Sequence, residues 1–116
     1  TAIQGCPPEL MGLGPINASK KALKRANIEI KDIDIVELNE AFASQSIACI
    51  KELKINPEIV NIEGGAIALG HPLGATGTRI TAKAASLMIK HNKKYALATQ
   101  CIGLGQGIAT VLERVE

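Results

Sequence analysis

Between Gly14 and Asn27 the small and apolar residues recur every three or four positions. Ile16, Ser19, Ala22, Leu23 and Ala26 share one stripe, and Lys20, Lys21, Lys24 and Arg25 fall elsewhere. That period predicts an amphipathic helix. Pro15 suits its first turn, where a missing N–H costs nothing, and Asn27 suits its stop. The β-branched run IDIVEL (33–38) predicts a buried strand. NEAFASQSIACIKEL (39–53) follows at once and predicts a helix capped by Asn39, with Phe42, Ile47, Ile50 and Leu53 set among small residues. EIVNIEG (58–64) reads as a second strand. After a glycine-rich loop, Ile80, Ala84, Leu87 and Met88 mark a helix from Thr76 to Lys90. KYALATQC (94–101) reads as a third strand, Gly103 to Gly107 as a tight turn, and GIATVLERV (107–115) as a fourth strand. The opening, TAIQGCPPELMG, reads as the end of a truncated first strand entering a loop.

Strands alternating with helices predict an α/β domain spanning residues 1–116, with a mixed, mostly parallel sheet and crossover helices. The short last connection predicts an antiparallel hairpin at the C-terminus. In open α/β sheets, ligands sit beyond the carboxyl ends of the strands. Asn39, His71 and Cys101 all fall at such ends, which makes them candidates for one shared site.

Composition narrows the picture. A chain of 116 residues that is 47% hydrophobic and 21% charged has enough material for one folded core. With one Phe, one Tyr and no Trp, that core must be aliphatic, and few rings remain on which nucleic-acid bases could stack. A net charge of +2 is too small to argue for a polyanion, and the lysines read as a solvated helix face. The three cysteines, Cys6, Cys49 and Cys101, are irregularly spaced and suggest neither a disulfide framework nor a zinc site. No His, Cys or carboxylate group has metal-ligand spacing, so no metal is expected. A reducing, cytoplasmic setting is the simplest expectation. No apolar run approaches a membrane span, and no secretory signal is evident.

The glycine loop GGAIALGHPLGATG (64–77) carries the sharpest chemical signal. It lacks the Lys-Ser/Thr of a nucleotide P-loop, and it lacks the spacing of a dinucleotide fingerprint. What remains is close approach of backbone to a ligand or another chain. Pro72 stiffens the chain beside His71, so the imidazole is aimed, and imidazole is the side chain best suited to general-base work near neutral pH. A structural histidine bonded to loop carbonyls is the competing reading. His91 reads as a surface residue. Cys101 is followed by IGLGQG, whose glycines open space beside the sulfur, whereas Cys49 reads as a small core hydrophobe and Cys6 has no assigned role. Asn39 can cap a helix, hold a water or oxyanion, or do both. Glu40 reads as a favourable charge in a helix first turn.

NEAFA (39–43), GGAIALGHPLGATG (64–77) and CIGLGQG (101–107), with MGLGP (11–15), together resemble the thiolase family over essentially the whole chain. The resemblance is to its C-terminal domain. It implies acyl transfer and carbon–carbon cleavage or formation on coenzyme A thioesters, of the acetyl-CoA C-acetyltransferase type, with no cofactor beyond those substrates. It further implies that the nucleophilic cysteine lies in an N-terminal domain, that the full enzyme is an oligomer, and that this chain alone is inactive. By the same resemblance His71 is the base that activates the nucleophile, Asn39 positions a water in an oxyanion hole, and Cys101 moves the α-carbon proton. Gly103 lends a backbone N–H to a second hole, and Phe42 lines the active-site wall. Leu104 departs from the family's C-x-G-G-G pattern. It strains the turn if φ is positive there and narrows the acyl pocket. Two other readings stay open: a non-catalytic interaction or dimerisation module on the same fold and, more remotely, a nucleotide-binding module.

Overall fold

The structure, a computed structural model, describes residues 1–115. Glu116, the last position of the expected domain, lies outside the described residues. In chain order the elements are β1 (Ala2–Gly5), α1 (Gly14–Ala26), β2 (Ile35–Leu38), α2 (Ala43–Leu53), α3 (Ala66–Leu69), α4 (Thr76–Lys90), β3 (Tyr95–Ile102) and β4 (Gln106–Glu113). Short 3-10 turns at Pro8–Leu13, Ile30–Asp32 and Pro57–Ile59 join them. The four strands form one sheet in the order β1-β4-β3-β2.

Period-two alternation divides the core into two layers. Val36, Leu38, Leu97 and Ala109 point to one face, where they meet Ile16, Ala18, Ala22 and Leu23 of α1 and Cys49 and Leu53 of α2. Ile35, Ala96 and Ala98 point to the other, against Ile80, Ala84, Leu87 and Met88 of α4. The two helix stripes read from sequence are therefore the buried ones, except that Ala26 at the end of α1 is exposed. Asn27 ends α1 in the left-handed conformation, as a stop residue should. Among the described residues, no helix is long and apolar enough to cross a membrane.

The start of α1 lies directly on the start of β4. A Cβ built on Gly107 would fall 2.1 Å from the Gly14 carbonyl carbon, and one on Gly14 would fall 2.5 Å from the Gln106 carbonyl oxygen. Backbone meets backbone here, and only glycine permits it at either position.

The α/β class, the mixed sheet and the closing hairpin stand as the sequence suggested, but among the four strands only β2 and β3 pair in parallel. β4 runs antiparallel to both its neighbours. The expected strand at 58–64 does not form. Pro57–Ile59 makes a 3-10 turn, Val60 makes a single bridge to Val36, and Asn61 then turns the chain with φ 48°. The Asn61 side chain replaces the ladder: its Oδ1 accepts from the Leu38 N–H at 2.9 Å and its Nδ2 donates to the Leu38 carbonyl at 2.8 Å. One side-chain amide thus satisfies the strand edge that a fifth strand would have covered.

The helix expected from Asn39 begins only at Ala43, with Phe42 at the N-cap position, so Asn39 caps nothing. Its own N–H donates to the Thr99 carbonyl at 2.9 Å, which prolongs the β2–β3 ladder and holds residue 39 in the sheet.

Candidate functional site

β2 and β3 run side by side in the same direction, so their carboxyl ends open on one rim of the sheet. β2 delivers Asn39 there and β3 delivers Cys101. The glycine loop between the Val60 bridge and α4 folds over the same rim and brings His71. A cavity of about 470 Å³ opens at this rim, lined by His71, Cys101, Phe42, Gly103, Met11 and Gln100 among others.

His71 is held at both nitrogens. Its Nδ1 lies 2.7 Å from Thr76 Oγ1 in the first turn of α4. The Thr76 hydroxyl donates to the Pro72 carbonyl at 3.0 Å, so its proton is already committed. It therefore meets the imidazole as an acceptor and holds the hydrogen on Nδ1. Nε2 is then the acceptor nitrogen, and Asn39 Nδ2 donates to it at 3.3 Å. In the neutral ring, that is the arrangement of a base presented at Nε2.

Asn39 sits beneath the imidazole, fully buried, and its Oδ1 has no hydrogen-bond partner. An unpaired buried carbonyl is costly, and it leaves an unused acceptor next to the imidazole. Cys101 is 7% exposed and free. Burial pushes its thiol above the ordinary range. The sulfur is thus held as a neutral S–H, a proton donor at rest rather than the thiolate an activated nucleophile would present. Cys49, 0% exposed in α2, donates to the Gly12 carbonyl and accepts from Gln45 Nε2, which is the structural role its sequence context suggested.

Phe42 lines the cavity while remaining exposed. Gly103 lines it at the start of the hairpin turn. Leu104 adopts φ 67°, so the expected strain at this position is real. Its side chain is 92% exposed and does not line the cavity in this chain. The structure therefore gathers His71, Cys101, Phe42 and Gly103 around one opening, with Asn39 behind the imidazole and Leu104 outside. Among the described residues, no three His, Cys, Asp or Glu side chains gather where they could hold a metal ion.

Three polar residues of the site carry little signal in the sequence. Thr76 was visible only as a helix start, although its place five residues after His71 is what lets it reach the ring. Asn61 sat inside an apparent strand. Glu40 looked like a helix first-turn charge. It is not one, because α2 starts later; its carboxylate instead accepts from Asn61 Nδ2 and from the Ile67 N–H, each at 2.9 Å.

Comparison with known proteins agrees with this geometry. The model of the thiolase C-terminal domain matches residues 1–114. The chain is 60% identical over 116 residues to a 3-ketoacyl-CoA thiolase of Vibrio parahaemolyticus, covering 97% of this chain and 30% of that relative. It is 59% identical over 117 residues to one of Idiomarina loihiensis, covering 98% and 30%. Among solved structures it superposes on human mitochondrial 3-ketoacyl-CoA thiolase in complex with CoA with a TM-score of 0.97 and 46% identity, covering 99% of this chain and 29% of that one. The chain thus spans about 30% of the length of the curated relatives it matches. A family model covering nearly every residue, together with the rim that joins Asn39, His71 and Cys101, leads to one conclusion: the chain belongs to the thiolase family and corresponds to its C-terminal domain.

Proposed function

We propose that this chain, as the single domain 1–116, supplies the acid–base half of a thiolase active site acting on coenzyme A thioesters. The observation that carries the reading is the His71 relay: Thr76 fixes the Nδ1 proton, so Nε2 serves as the base beside the cavity that Cys101 also lines. In the thiolytic direction, His71 takes the proton from a nucleophilic thiol contributed by the N-terminal domain. The thiolate adds to the 3-keto carbon, the bond between C2 and C3 breaks, and the acyl group stays on sulfur. The electron pair left on C2 forms a thioester enolate, which accepts the Cys101 proton to give acetyl-CoA. A CoA thiol then gives its proton to the Cys101 thiolate and displaces the acyl group, and the released nucleophilic sulfur regains its proton from His71.

The resting protonation of Cys101 supports the donor role. The unpaired Asn39 Oδ1 supports a bound water that, with His71, faces the enolate oxygen. The Gly103 N–H is the proposed donor to the oxyanion of the acyl-transfer step. Phe42 forms the acyl wall, and Leu104 meets only a substrate long enough to extend past the cavity. The names of the relatives favour 3-ketoacyl-CoA thiolysis over the acetyl-CoA C-acetyltransferase subtype that the motifs alone suggested. No cofactor beyond the thioester substrates enters the scheme. The proposed partner is the N-terminal domain. The isolated chain is inactive on this reading, and the intact enzyme is an oligomer.

Two variants of the intact enzyme test the assignment. His71→Ala should lower acyl-enzyme formation by about a thousandfold or more, since both nucleophile activation and oxyanion stabilisation are lost. Cys101→Ala should still load an acyl group from acetyl-CoA, which needs no carbon–carbon bond to break, and should block cleavage of a 3-ketoacyl-CoA, whereas His71→Ala should impair both. If Cys101→Ala loses loading from acetyl-CoA as severely as cleavage of the 3-ketoacyl-CoA, the division of labour is overturned.

A further inference from the structure

We propose that Glu40 is a positioning residue: its carboxylate clasps the His71 loop against the strand end that carries Asn39, and thereby sets the His71–Asn39 contact. The inference rests on the catalytic reading of His71 given above.

Three observations converge on Glu40. First, its two oxygens serve two different segments. Oε2 accepts from the Ile67 N–H and Oε1 accepts from Asn61 Nδ2, both at 2.9 Å. Ile67 lies four positions before His71 on the same loop. Asn61 is itself tied to both the N–H and the carbonyl of Leu38. The bonds therefore close a circuit through Leu38, Asn61, Glu40 and Ile67 that joins the end of β2 to the loop.

Second, Gly65 is shaped around this carboxylate. Its φ of −123° is open to any residue, so conformational freedom does not explain the glycine. A Cβ built there would fall 2.4 Å from both the carboxyl carbon and Oε2 of Glu40, and 2.5 Å from Oε1. Third, the loop is pinned again at its far end, where Thr76 holds His71 Nδ1. With Ile67 and Thr76 fixed, the intervening residues hold the imidazole at a set distance from Asn39. Because Asn39 and Glu40 are neighbours in the chain, one carboxylate positions the loop relative to the amide that the loop's histidine must meet.

The test uses the intact enzyme with the variants E40A, E40Q, G65A and H71A. Displacing a catalytic group by about 1 Å can cost about a hundredfold in rate, and E40A should lower kcat by about that factor while KM stays within about threefold. E40Q keeps the shape, but its amide N–H₂ must face either the Ile67 N–H or the Asn61 amide, donor against donor. It should lose about tenfold and keep the parental melting temperature. G65A should behave like E40A, and E40A/G65A should be no worse than E40A, since removing the carboxylate makes room for the methyl. E40A/H71A should be no slower than H71A alone, because a residue acting through His71 has nothing left to position. The clasp is overturned if E40Q keeps parental kcat, if the losses fall on KM, or if the E40A and H71A losses multiply. E40Q carries the decision should E40A fail to fold. If H71A itself keeps full turnover, the catalytic reading beneath the clasp fails instead.

Discussion

Leu97 and Thr76 are both sealed from solvent, yet they are held in different ways. Leu97 stands in the middle of β3 in an apolar cluster with Val36, Leu38, Ile16, Leu23 and Cys49, where the contact is non-directional. Thr76 stands at the rim, where its hydroxyl donates to Pro72 and meets His71 Nδ1 as an acceptor. The sheet faces are specified by shape and burial. The rim is specified by single hydrogen bonds, each with a direction and a proton count. A change in the first region should alter how much protein is folded. A change in the second should alter what the folded protein does.

The largest effect expected from this contrast is at Thr76. Thr76→Val keeps the volume and removes the hydroxyl, so the Nδ1 hydrogen loses its acceptor and the imidazole is free to take the other tautomer. The kcat of the intact enzyme should fall by about a thousandfold, equivalent to ~4 kcal/mol, with a small change in melting temperature. Comparable losses of stability and rate would erase the distinction between the regions.

Leu97→Ala should do the reverse. It should cost about 3 kcal/mol in denaturant unfolding, from lost burial and the cavity left behind. The folded fraction should turn over at close to the parental rate. A large fall in its specific activity would show that the core sets the site directly.

Glu37 tests the boundary between the regions. It sits on β2 on the α4 side, 1% exposed, with Oε1 unpaired. Burial pushes its carboxyl from 4.5 up to about 7, against the opposing pull of Arg79 and Lys83. The folded protein therefore keeps this proton up to near pH 7, whereas the unfolded chain releases it near 4.5. Stability from this group is fully present below pH 4.5 and is lost as pH rises to about 7, by up to about 3 kcal/mol. Glu37→Gln should remove that slope and make the protein more stable than its parent at pH 8. Unfolding in urea between pH 5 and 8 measures it, and parallel curves for the two proteins would refute it.

The smallest effect is expected at Leu104, which belongs to neither region. Leu104→Gly relieves a left-handed residue with almost no buried side chain to lose, partly offset by the looser unfolded chain. A gain of less than about 1 kcal/mol is expected from chemical denaturation. A net loss would mean that the isobutyl group makes contacts that stabilise the turn.

The same contrast governs how much was legible in the sequence. α1, α4, β3 and β4 bury repeating apolar stripes, and a repeat is visible without coordinates. His71 and Cys101 were legible because glycines and a proline strip their surroundings of other chemistry. Asn61 was not legible, because a residue that imitates a strand pair with its side chain looks like part of a strand. Glu40 was misplaced for a related reason: the start of α2 could be read only from the apolar run, and Asn39 resembles a cap until its N–H is seen to continue the sheet. Contacts made by one residue with one distant partner leave no period behind. The rim is built almost wholly from such contacts.

The seam where Gly14 rests on Gly107 works as an index mark between α1 and the hairpin. Sliding the helix by one residue would drive the Pro15 ring or the Leu13 side chain into main chain that has no room to yield. The turn bearing Gly103 therefore inherits its height above the sheet from a helix that never touches the cavity.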